Sequence, residues 1–183
     1  MRKYTYLRSQ FYLFGENRNI NLIMFDSINK LNQEEQQILM DALPLVTVLI
    51  ASADGKIDKS ETAWAEKLAD IRSYSNEPDL NEYYEKVSEH FAERVSWFIS
   101  ELPEDTDAGI QMISKKLEGL NEVLPKLPQE LGAKFYKSFT SFAKHIARAD
   151  GGFLKMWSIS KEEAALIDLP MINEISMPEE EED

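Results

Sequence analysis

With 183 residues, 43% of them hydrophobic, the chain has the size of one ordinary domain and apolar side chains enough for a core, which excludes wholesale disorder. The absence of cysteine excludes disulfides, thiolate metal sites and cysteine catalysis, and is more at home in the cytoplasm. A formal charge of −13 argues against nucleic acid, whose phosphates need a clustered basic surface, and suits cations or basic protein partners.

Residues 1–23 carry the basic Arg2, Lys3, Arg8 and Arg18 against a single acid, Glu16, among several aromatics. They lack an apolar h-region and a small-residue cleavage site, so no signal peptide is read. No unbroken apolar run in the chain approaches the roughly 18 residues that span a bilayer. Met24 opens a segment of ordinary composition, and residues 1–23 are read as an appendage to a domain covering 24–173. Residues 174–183, ending in Pro178 and the acids Glu179 to Asp183, are read as a solvated, disordered tail.

Between these ends the pattern is helical throughout. Asn32 with Glu35 three residues on is a capping box. Ile38, Leu39 and Ala42 then recur at helical spacing. Pro44 is expected as the first residue of a new, centrally buried helix through Ala53. Asp58 and Glu61 open the next, to about Tyr74. Asp79 starts a long amphipathic helix to about Leu102, with Tyr83, Val87, Phe91, Val95 and Phe98 on one face. Asp105 or Thr106 caps another, with Ile110, Ile113, Leu117 and Leu120 inward. Pro125 and Pro128 bracket a short turn. The last long helix is predicted from about Pro128 to Ala149, with Leu131, Phe135, Phe139, Phe142 and Ile146 inward. Ser160 and Glu163 cap a final short one. No strand pattern is found, and the fold class is all-α.

Two acidic turns carry what chemistry the sequence has. Ile50-Ala51-Ser52-Ala53-Asp54-Gly55 matches Ile146-Ala147-Arg148-Ala149-Asp150-Gly151 at all but one position. The second copy then inserts Gly152 to Trp157. After the insert, Ile57-Asp58-Lys59-Ser60-Glu61-Thr62-Ala63 lies against Ile159-Ser160-Lys161-Glu162-Glu163-Ala164-Ala165. The first copy also reads as the back half of a calcium loop, a carboxylate, a sharp-turn Gly, an apolar residue and a closing Glu. One half-loop cannot supply the six to eight oxygens calcium takes, whereas two facing half-loops with carbonyls and water can. The plainer reading is that each turn is a helix–helix corner, Gly ending one helix and Asp-x-x-Glu capping the next.

The motifs ADGKIDKSE at 53–61 and ARADGG with ISKEEAALIDLP at 147–170 resemble the tellurite-resistance TerB family of bacterial helical domains. In helix order the resemblance covers about Ile28 to Ile172, with only these two motifs specific. It implies a single helical domain of about seven helices in two pseudo-symmetric halves. It also implies an acidic divalent-cation site near the ADG turns, and a part in stress responses and membrane-associated complexes with protein partners. By position, Asp54, Asp58, Glu61, Asp150 and Glu163 become the metal-site candidates. The insert with Phe153, Met156 and Trp157, and Ser160 in place of Asp58, depart from the family pattern in the second half.

All the candidates are oxygen donors, which favours a hard cation, Ca²⁺ or Mg²⁺. His145, five residues before Asp150, is within reach of a supporting role, although a surface histidine is the simpler account. No catalytic triad, zinc-protease helix, phosphate loop or dinucleotide fingerprint is present. The chain is therefore expected to be a non-enzymatic, cation-binding regulatory or scaffold domain. The alternatives are an interaction module with purely structural acidic turns and, further off, a metal-dependent hydrolase.

Overall fold

The computed structural model describes residues 26–53, 63, 66–67, 78–149, 164 and 166–178. Its elements are α1 (Gln33–Ala53), a 3₁₀ turn (Pro78–Leu80), α2 (Asn81–Ser100), α3 (Thr106–Leu117), α4 (Leu120–Val123), a second 3₁₀ turn (Leu124–Lys126) and α5 (Gln129–Ala149). A helical turn at 26–29 precedes α1, and there is no strand among the described residues. The described residues are all-α, in line with the sequence pattern.

The capping box forms as read. Asn32 N donates to Glu35 Oε2 and Glu35 N donates to Asn32 Oδ1, both at 2.9 Å. Each bond satisfies an amide that the first turn leaves orphaned. Glu35 also pairs with Lys126. That bond and the Asn32 N–H hold its carboxyl below the usual carboxylate range.

No new helix begins at Pro44. A single helix, α1, runs through it. An interior proline removes one ladder bond and crowds the preceding turn, at a cost of about 3 kcal/mol. Packing offsets this, because every residue from Asp41 to Ser52 is buried. The buried Tyr83 hydroxyl adds a bond to Leu39 O at 2.9 Å, one residue from the Met40 carbonyl that Pro44 leaves without its usual donor. Burial pushes that phenol well above its ordinary pKa.

The centre of the domain is α1, against which α2, α3, α4 and α5 all pack. It is long and apolar enough to cross a bilayer by length and composition, with a mean hydropathy of 1.5 over its best window, yet 72% of that window is buried inside the protein. On α2 the buried face is Tyr83, Tyr84, Val87, Phe91, Val95 and Phe98, one stripe at helical spacing. It meets α5 through aromatic edges, Tyr83 against Phe135 with centroids 4.9 Å apart. Phe139, Phe142 and Ile146 continue the α5 stripe and are fully buried.

Asp105 caps α3, accepting from Ala108 N at 2.8 Å. The chain then breaks at Gly119 into α4 and the 3₁₀ turn before α5. Gly132 permits the close approach that follows, since a Cβ there would sit 3.0 Å from Leu124 O. Beyond α5, buried Leu169 takes a left-handed backbone (φ 51°) just before Pro170. Proline disfavours the right-handed helical region at that position, and burial offsets the strain of about 1–2 kcal/mol.

Candidate functional site

The five metal-site candidates Asp54, Asp58, Glu61, Asp150 and Glu163 lie outside the described residues, as does the insert with Phe153, Met156 and Trp157. What is described is the pair of helices that lead into the acidic turns. Ala53 is the last described residue of α1 and Ala149 the last of α5, so Asp54 and Asp150 each follow in sequence the described part of a helix. The two helices pack against each other.

One described side chain stands next to the first turn. Ser52 is 6% exposed, and its hydroxyl is buried without a hydrogen-bond partner. Thr47 on the same helix behaves differently, donating to Leu43 O at 2.9 Å. A hydroxyl buried with nothing to bond costs about 1–3 kcal/mol. Ser52→Ala is therefore expected to raise the stability of the metal-free protein by about 1 kcal/mol. Urea melts of the two proteins measure this, and a loss of similar size would show that the hydroxyl is bonded in solution.

His145 is exposed on α5, its Nδ1 2.7 Å from Ser141 O, a bond within its own helix. His90 is also exposed, 3.6 Å from Glu93. Among the described residues no three His, Asp or Glu side chains gather as a metal site would need.

The strongest charged arrangement among the described residues was not legible in the sequence. Asp41, buried on α1, receives two bonds from Arg94 of α2, from Nε at 2.7 Å and from Nη2 at 2.6 Å. The guanidinium also lies 4.6 Å from the centroid of Trp97 and 4.9 Å from that of Phe98, and Lys116 of α3 sits 5.9 Å from both. This joins α1, α2 and α3 by a forked ion pair stacked on two rings. A second group sets Lys134 of α5 between Asp79 and Glu130. Burial works against that ammonium, yet its bonds to Asp79 and Glu130 hold it above the ordinary lysine pKa. Both arrangements use up their charges in mutual pairing and tie elements together. Neither offers a nucleophile, or a base aimed at open space.

Comparison of the chain with family models, with curated proteins and with solved structures finds no match.

Proposed function

We propose that this chain is a TerB-like domain of about seven helices in two pseudo-symmetric halves, which binds a divalent cation and acts as a regulatory or scaffold element, not as an enzyme. One observation carries the reading. Ala53 and Ala149, which open the two Ala-Asp-Gly sequences, are the last described residues of two helices that pack on one another. Asp54 and Asp150 are the principal ligands in this reading, with Asp58, Glu61 or Glu163 completing the shell. An all-oxygen set selects Ca²⁺ or Mg²⁺ over softer ions. The cation would order the two turns and so prepare a surface for a protein partner.

Titration calorimetry of the purified protein with Ca²⁺, Mg²⁺, Mn²⁺ and Zn²⁺ tests it. Saturable binding of one hard cation per chain is expected. Heats no different from buffer dilution for all four ions would remove the metal, and leave the acidic turns as helix corners of an interaction module.

A further inference from the structure

The chain from Asn173 to Pro178 has no regular secondary structure, yet it is held in place. Asn121 of α4 grips the start of this stretch with both ends of its amide. Its Nδ2 donates to Met171 O at 2.9 Å, and Asn173 N donates to its Oδ1 at 2.7 Å. Gln129, the first residue of α5, donates from Nε2 to Ser176 O at 3.2 Å. Between these clamps Ile175 packs half-buried over Gly132, where its Cδ1 lies 3.4 Å from the place a Cβ would occupy. Gly132 thus serves two contacts, the approach of α5 to Leu124 and the space above it that Ile175 fills.

The contacts are those of a bound peptide. The Asn121 amide pairs with a carbonyl and an N–H on the two sides of the bend at Ile172, so it reads backbone and is indifferent to side chains. Selectivity is left to the one apolar residue that turns inward. Asn173, Glu174, Ser176, Met177 and Pro178 are exposed, and Met177 is half accessible. A stretch with one inward side chain and a few surface hydrogen bonds belongs to the low end of local stability and opens without the core.

We propose that residues 173–178 are a releasable intramolecular occupant of a peptide seat formed by Asn121, Leu124, Gln129 and Gly132. When vacated, the seat takes the same segment from a second copy of this chain. That occupant is the peptide already seen to fit, and exchange reproduces every contact at little cost. The inference does not depend on the cation reading.

The test uses the full chain carrying Ile175→Asp, which empties the seat, and a fluorescent peptide of residues 170–178. Anisotropy should show the peptide binding this variant at least tenfold more tightly than the wild type, whose seat is filled. Adding Asn121→Ala to Ile175→Asp should abolish the binding. Equal binding to wild type and variant, or none to a folded variant, overturns the proposal. Should the variant not fold, amide exchange of the wild type decides. Exchange at Asn173 N–H that is much faster than in α1 and insensitive to low urea supports release. Exchange only through global unfolding overturns it.

Discussion

Replacing Arg94 by alanine is expected to cost about 2–4 kcal/mol, the largest loss among single changes at the charged groups described. Asp41 is only 10% exposed at its side chain and sits on the central helix, so without the guanidinium it is left as a buried charge with no partner. The figure stands below that for a wholly buried pair because the Arg94 side chain is 30% exposed. Trp97 and Phe98 lose their stacked cation as well. The double variant Asp41→Leu with Arg94→Met should recover most of the loss, because an apolar pair of similar volume can replace a buried ion pair. Chemical denaturation of the two single variants and the double one gives the coupling directly. A fall of less than about 1 kcal/mol for Arg94→Ala would mean that water reaches Asp41 and that the pair is a surface one.

The second large effect concerns the acidic turns. With a cation at one hundred times its dissociation constant, a site present only in the folded state adds about 2.7 kcal/mol of stability. Asp54→Asn is expected to remove most of that gain. In the absence of cation the same substitution should be neutral or slightly stabilising, since it relieves repulsion among gathered carboxylates. If Asp54 and Glu61 are only helix caps, divalent ions should leave both proteins unchanged and the turn's caps should be worth on the order of 1 kcal/mol each. Thermal melts of wild type and Asp54→Asn, with and without millimolar Ca²⁺, separate the two. Equal shifts in both would be screening of an acidic surface, and the metal reading would be withdrawn.

What could be read from the sequence was what local rules govern. The Asn32 and Glu35 box and the Asp105 cap depend on neighbours three residues away; the box formed as read, and of the two caps offered, Asp105 and Thr106, Asp105 is the one that forms. The inward faces of α2 and α5 follow from spacing alone. Pro44 was misread because the preference of proline for a helix start is also a local rule, and here burial of the whole helix outweighs it. The bonds between Asp41 and Arg94 and between Asn121 and Asn173 join residues about fifty positions apart, and no pattern in one sequence marks such partners. The candidate metal site was legible as a repeat of residues. The structure describes the helices that lead into it, and leaves the ligand set to the experiments above.

The central position of α1 has a consequence during synthesis. Its apolar surface is complete once residue 53 has been added, but the last helix that covers it ends at Ala149. At ordinary elongation rates of about 5–20 residues per second, that interval lasts roughly 5–20 s. Until then the emerging chain presents a segment with the length and hydropathy of a bilayer-crossing helix whose burial is incomplete. A nascent protein of this design depends on whatever shelters apolar segments near the ribosome, because α1 precedes every other described helix that packs against it.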